Sequence, residues 1–251
     1  MVTTEAKILL VEAAPAVLGS FHPKLQRYTQ RRLEKMGVDV RLRTTATGMS
    51  HDSITVNGPE GEEQIPARTR IWAAGVRASP LATMLAEATG AETDPSGRIA
   101  VLPDCSLPGH PEVFAVGDMI SLNQLPGVAQ PAIQEGRYVG RLIRARLQGR
   151  TRTKPFRYLD KGSMATIGHL SAVTESYGLR FTGVIGYTMW GFVHVLYLVG
   201  WGNRLGAVFS WSRALTFSAN RGHRLITFEQ ATYEVAPPAR HAEVPDEASG
   251  P

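Results

Sequence analysis

The chain has 251 residues, 43% of them hydrophobic and 20% charged, a balance that supports a buried core and excludes a polar, disordered polypeptide. Its single cysteine, Cys105, excludes an internal disulfide framework and a multi-cysteine zinc site, and points to a reducing compartment on the cytoplasmic side. Net charge is +5, yet residues 141–224 hold 13 Arg/Lys against Asp160 and Glu175, a local +11 that leaves −6 for the remainder. That basic block surrounds the most apolar stretch of the chain and carries none of the motifs of nucleic-acid-binding folds. It therefore favours an anionic membrane surface, with no nucleic acid among the expected partners.

The first twenty residues have no basic n-region, and the apolar run Ile8–Val11 is far too short for a signal-peptide core or a membrane span. Lys7–Glu12 instead reads as a short buried strand ending on a carboxylate, followed by a turn at Pro15. Apolar positions at Leu25, Tyr28, Leu33 and Met36 predict a helix over 23–36 stopped by Gly37, and Val38–Leu42 alternates as a strand. Residues 48–66 predict a polar hairpin around Asn57-Gly-Pro-Glu-Gly61. A buried strand is expected at Arg70–Gly75, a short helix at Pro80–Ala88, a turn at Asp94-Pro-Ser-Gly97, and strands at Arg98–Leu102 and Glu112–Val116.

A longer helix follows over Gln130–Leu147, with Pro131 suited to its first turn and Ala132, Gly136, Val139, Gly140, Ile143 and Leu147 along one face. Gly149-Arg-Thr-Arg-Thr-Lys-Pro155 reads as a linker, followed by a polar-to-apolar segment. Phe181–Gly202 contains no Asp, Glu, Lys or Arg, but its Gly and Thr breaks and its aromatics Tyr187, Trp190, Tyr197 and Trp201 argue for a helix lying in the headgroup region over a span. Arg180, Arg204 and Arg213 rim this stretch and the apolar segment after it.

Several positions carry candidate chemistry. Glu12 ends the first strand, where a dinucleotide-binding fold puts the carboxylate that accepts from an adenosine ribose and repels a 2'-phosphate; an ordinary acidic strand end is the other reading. Trp72-Ala-Ala-Gly-Val76 ends a predicted strand in residues small enough for a nucleotide to approach, Ala74 and Gly75 above all, although small residues also end strands for packing reasons. Gly117 and Asp118 close another strand with a position permitting close approach and a carboxylate able to accept from a ribityl hydroxyl. The helix beginning near Ala129 presents first-turn amides suited to negative charge on a reduced flavin. Gln130 and Gln134, four apart, can share one side of it, beside a quinone head group or simply toward water.

These pieces stand in a particular order: Glu12, Trp72-Ala-Ala-Gly-Val76, Leu107-Pro-Gly-His-Pro-Glu-Val-Phe-Ala-Val-Gly-Asp118, Ala129-Gln-Pro-Ala-Ile-Gln134 and Tyr158-Leu-Asp-Lys-Gly-Ser-Met-Ala165. In order and spacing the set resembles the type II NADH dehydrogenases, over roughly residues 7–228. The resemblance implies FAD and NAD as cofactors, with Glu12, Ala74 and Gly75 lining the NADH site, Gly117, Asp118 and Ala129 holding FAD, and Gln130, Gln134 and Lys161 bordering a quinone pocket. It implies hydride transfer from NADH to flavin followed by two-electron reduction of quinone, without a metal or proton pumping. It also implies peripheral attachment at the cytoplasmic face of the cell membrane.

The expected fold class is α/β, a partial two-dinucleotide-binding Rossmann-like fold (FAD/NAD(P)-binding) with a C-terminal amphipathic membrane-attachment region. The expected divisions are 1–80 for the second half of the NAD-binding domain, 81–150 for the return into the FAD-binding domain, 151–235 for the quinone-site and membrane-associating region, and 236–251 for a disordered tail. Such proteins use two Gly-x-Gly-x-x-Gly loops, and neither occurs in this sequence. The chain is therefore expected to be a C-terminal portion that is inactive alone, with a homodimer or a chain supplying the N-terminal half as possible partners. A non-catalytic membrane-associated remnant or partner subunit and a soluble FAD-dependent NAD(P)H reductase are the alternatives.

Overall fold

The computed structural model describes residues 7–150 and 154–217, with side chains as far as Arg213. The expected tail 236–251 lies outside the described residues, as does much of the end of the 151–235 region. The chain divides into two units, Met1–Val193 and His194–Pro251.

The first unit opens with β1 (Ile8–Glu12) and β2 (Val38–Leu42), paired in parallel with Ile8 opposite Val38 and Glu12 opposite Leu42. Between them runs α1 (Pro23–Lys35). Its start is set by Pro23 in the first turn and by His22, whose Nδ1 accepts from the Lys24 amide at 3.2 Å. Gly37, at φ +87°, lets the chain leave the helix and enter β2. The polar hairpin gains a third strand: β3 (Thr45–Met49), β4 (Ser53–Gly58) and β5 (Gly61–Pro66) form an antiparallel meander.

Arg70–Gly75 is not a strand. It lies outside every ladder, with Ile71 85% and Trp72 62% exposed. A run of this composition becomes a parallel strand only beside another strand that takes its backbone hydrogen bonds, and β1 pairs with β2 alone.

Next comes α2 (Pro80–Thr89), capped by Ser79 and closed by Gly90 in the left-handed region at φ +71°. The strand expected at Arg98–Leu102 is reduced to two residues, and the one expected at Glu112–Val116 lies two residues earlier. β6 (Ile99–Ala100) pairs in parallel with β9 (Ile120–Ser121), while β7 (Ser106–Leu107) and β8 (His110–Phe114) form a hairpin. A single 3-10 turn, Gly117–Met119, joins β8 to β9, and α3 (Ala129–Leu147) follows. Ala82, Ile99, Cys105, Leu107, Ala115, Ile120, Leu122, Val139 and Phe156 form one buried core with these elements.

The segment 163–182, which carried no strand expectation, forms an antiparallel sheet of β10 (Ser163–Gly168), β11 (Ser171–Ser176) and β12 (Leu179–Thr182). Tyr177 and Gly178, both at positive φ, make the tight turn between the last two strands. This sheet packs on α1 through a second core of Phe21, Leu25 and Val173. The apolar stretch from Phe181 is divided between the end of β12, α4 (Gly183–Tyr197) and α5 (Trp201–Phe217), with Gly200 at φ +85° before α5. Gly186 lets the start of α4 approach β11, since a Cβ there would lie 2.7 Å from the Ala172 carbonyl oxygen. Among the described residues no helix is long and apolar enough to cross a membrane.

Candidate functional site

The first half of α3 organises most of the expected site. Val128 gives the helix no side-chain cap, and Pro131 has no N–H, so the amides of Ala129 and Gln130 have no partner within the helix. Such an N-terminus carries partial positive charge and suits an anionic or electron-rich group. Beside it sits the Gly117–Met119 turn. Gly117 has φ +78°, a backbone conformation that favours glycine, and a Cβ there would lie 3.4 Å from that of Ala132.

The turn is tied to α3 by Glu135, which the sequence reading did not single out. The Gly117 amide donates to Glu135 Oε2 at 2.6 Å, and Glu135 is 2% exposed. Burial pushes the Glu135 carboxyl above its ordinary value; the Gly117 amide opposes the rise and the neighbouring Asp118 charge adds to it. A signal was present: Glu135 falls four residues before Val139 and seven before Leu142, on the face those two bury. Asp118 itself is exposed. Arg98, Asp118, Leu125, Gly127 and Glu135 line the crevice between turn and helix, whose volume of about 10 Å³ admits no more than a water. Arg98 is held there by Asp94, Nε to Oδ2 at 2.7 Å.

Gln130 and Gln134 do face one side of α3, and both bind the same segment. Gln130 Nε2 donates to the Gly162 carbonyl at 2.9 Å. Gln134 pairs with Leu159 twice, Nε2 donating to its carbonyl at 2.9 Å and Oε1 accepting from its amide at 3.0 Å. The Oε1 of Gln130 is buried without a hydrogen-bond partner. Lys161 lies between these contacts, its carbonyl accepting from Ser176 Oγ at 2.7 Å. Gly162 can only be glycine, because a Cβ at its φ of +95° would fall 1.9 Å from the Glu175 carbonyl oxygen.

Glu12 and the Ala74–Gly75 pair stand apart from this cluster. Glu12 Oε1 accepts from the Ala14 amide at 2.9 Å, and its backbone carbonyl accepts from the Thr44 amide. Ala74 and Gly75 are exposed, Gly75 has φ +78°, and the Ala74 carbonyl accepts from Trp72 Nε1 at 2.8 Å. No strand ladder joins the block to β1.

A model of the pyridine nucleotide-disulphide oxidoreductase family matches residues 2–136. The chain belongs to that family. Type II NADH:quinone oxidoreductase NdhA of Mycobacterium tuberculosis is 44% identical to it over 229 residues, 89% of this chain and 48% of the relative. Type II NADH:quinone oxidoreductase Ndh of the same organism is 42% identical over 233 residues, 91% of this chain and 50% of the relative. The chain thus spans about half the length of the curated relatives it matches.

Among solved structures, NDH2 from Plasmodium falciparum in complex with NADH superposes with a TM-score of 0.76 at 14% identity, over 85% of this chain and 59% of that one. The sulfide:quinone oxidoreductase of Aquifex aeolicus gives 0.60 at 12% identity, over 85% and 54%. These likenesses establish a shared α/β fold. Disulphide chemistry within this chain has no pair of thiols to use: Cys105 is its single cysteine, is buried, and has its thiol pushed up to about 12, chiefly by burial and also by Glu135 and Asp104.

The residues around α3 fit the ribityl and ring end of a flavin. Asp118 offers an exposed acceptor, Gly117 a conformation only glycine adopts readily, and the helix two first-turn amides that its own ladder does not use. For the pyrophosphate end, the sequence offers no Gly-x-Gly-x-x-Gly cradle.

Proposed function

We propose that the chain is the flavin- and quinone-facing portion of a FAD-dependent NADH:quinone oxidoreductase, acting with a polypeptide that carries the Gly-rich loops. The observation that carries this reading is α3, one helix that holds the Asp118 turn through Glu135 and the Lys161 segment through Gln130 and Gln134. The 44% identity to NdhA supports it. When bound, FAD would supply acceptance of a hydride from NADH and two-electron reduction of quinone.

The chain's own residues supply binding and orientation. Asp118 accepts from ribityl hydroxyls, and the amides of Ala129 and Gln130 stabilise negative charge at the pyrimidine edge. Glu12 accepts from the adenosine ribose of NADH and disfavours a 2'-phosphate, while Ala74 and Gly75 permit close approach of the nucleotide. Gln130, Gln134 and Lys161 border the quinone head group. In this reading residues 1–80 complete an NAD-binding domain, 81–150 an FAD-binding domain, and 151–235 the quinone site and a membrane-attachment region.

Attachment is peripheral, at the cytoplasmic face. Val184, Ile185 and Phe192 of α4 are exposed, as are Trp201, Leu205 and Phe209 of α5. Apolar helix surface of this kind, with Arg204 at 5.2 Å from the Trp201 ring, suits the headgroup boundary. A quinone dissolved in the bilayer could then reach the flavin without crossing water.

The test is to purify the chain alone and co-expressed with the N-terminal half of NdhA. The pair should retain flavin, reduce a short-chain ubiquinone with NADH, and lose flavin in Asp118→Ala. A colourless pair that still sediments with anionic vesicles would sink the reading in favour of a non-catalytic membrane-associated partner. NADH-dependent reduction of water-soluble acceptors, without vesicle binding, would favour a soluble reductase.

A further inference from the structure

One face of α3 does more than present two glutamines. Gln130, Gln134 and Tyr138 recur every four residues, and each donates to a backbone carbonyl of the segment 154–162: Gln130 to Gly162 at 2.9 Å, Gln134 to Leu159 at 2.9 Å and Tyr138 to Lys154 at 2.6 Å. The pairing order makes the segment run antiparallel to the helix. Gln134 closes a second bond by accepting from the Leu159 amide, so both ends of its side-chain amide are engaged. Phe156 packs edge-on against Tyr138 with ring centroids 5.6 Å apart, and Ser176 holds the Lys161 carbonyl from the side of β11.

We propose that Gln134 and Tyr138 are positioning residues: they dock the segment 154–162 on α3, and Gln134 acts on a bound quinone through Leu159 and Lys161 instead of by touching it. The inference rests on the quinone reading above and revises it at one residue: Gln134 stands behind Leu159, which leaves Gln130 and Lys161 at the head group. Tyr138 separates the two roles. It lies eight residues from Gln130, about 12 Å along the helix axis, and its hydroxyl is directed at the far end of the segment. A residue so placed can alter the site only by loosening the docked segment.

The experiment compares Gln134→Met, Tyr138→Phe and Gln134→Glu with the unaltered chain by two measurements. The first is amide hydrogen exchange over 154–162, which needs no cofactor. The second is equilibrium dialysis with a short-chain ubiquinone in the flavin-loaded complex. Docking predicts that exchange at the Leu159 amide speeds at least tenfold in Gln134→Met, and that Tyr138→Phe frees the Lys154 end.

Quinone Kd should rise at least threefold in both variants. Gln134→Glu should lose protection at neutral pH, where a carboxylate faces the Leu159 carbonyl. It should regain protection, relative to the unaltered chain at equal pH, as acidification restores a donating O–H.

Unchanged protection in both variants would overturn the docking role, as would a raised Kd confined to Gln134→Met with Tyr138→Phe normal. Absence of quinone binding by the unaltered complex would instead overturn the functional reading beneath it, a failure visible before any variant is made.

Discussion

Two stretches of similar character behave in opposite ways. Ile99, Leu107 and Ala115 lie in a closed core under α3, whereas Ile71, Trp72 and Val76, as apolar and as strand-like in composition, lie exposed. The difference is in neighbours. Ile99 sits in β6, which has β9 alongside, and shares its core with Val139 of α3, so its backbone and side chain are both satisfied. The Arg70–Val76 block has no ladder partner. Burial is therefore a property of the pairing, and composition only makes a segment ready for it.

The sharpest way to test this contrast is to truncate one residue from each stretch. Leu107→Ala, at a fully buried site, should destabilise the chain by about 2–5 kcal/mol in urea denaturation. Ile71→Ala, at an 85% exposed site, should stay within roughly 0.5 kcal/mol. Equal losses at the two positions would mean that the Arg70–Val76 block is packed in solution.

Next in size is Glu135. Replacing it with Leu leaves the Gly117 amide without its acceptor, which should cost about 1–3 kcal/mol, while Glu135→Gln keeps an acceptor and should cost less. Glu135 and Glu175, which both hold backbone amides, respond to pH with opposite sign. The Glu135 carboxyl is raised by burial, so its contribution is full below the ordinary glutamate value of 4.5 and is lost as pH rises through the raised folded value. The Glu175 carboxyl is lowered, first by the His22 amide and then by Arg180, so its contribution is present above 4.5 and is lost as pH falls through the lowered value. Glu135→Gln and Glu175→Gln should consequently flatten opposite limbs of the stability–pH curve. A shared limb would show that one of the two environments is misassigned.

The distribution of signal along the chain explains how much of this could be read beforehand. α1, α2 and α3 were legible because helical signals are local: the spacing of Leu25, Tyr28, Leu33 and Met36, the Gly37 stop and Pro131 in the first turn of α3 need no distant partner. β10, β11 and β12 were not, since 163–182 mixes polar and apolar residues, Ser171 to Thr174 are buried consecutively instead of alternately, and the register rests on a turn at Tyr177-Gly178. At the candidate site, Gly117, Asp118 and Gln134 stood out by residue type and spacing. Glu135 and Tyr138 did not, because their partners are backbone groups of Gly117 and Lys154, which no side-chain pattern announces.

A smaller effect concerns the thiol inside the core. With Cys105 buried and its thiol pushed up to about 12, iodoacetamide at pH 8 should label the folded chain at least a hundredfold more slowly than the chain in urea. Rapid labelling without denaturant would show that the α3 core opens readily, and would remove the closed half of the contrast.

The smallest effect in the chain alone becomes informative when a partner is added. Trp72→Ser removes an indole that is 62% exposed and bonded only to the nearby Ala74 carbonyl, so stability should move by no more than about 0.5 kcal/mol. If the Arg70–Val76 block is a strand awaiting its neighbour, adding the N-terminal half of NdhA should protect amides 70–76 from exchange. The same substitution should then weaken association, because the indole would pass from solvent into a sheet buried on both faces. Acrylamide quenching gives an independent readout, with Trp72 quenched freely in the isolated chain and shielded in the pair. Exchange at 70–76 that stays fast while the two halves demonstrably associate would mean that the block remains exposed in the complex, and its apolar composition would then have to be explained by something other than strand addition.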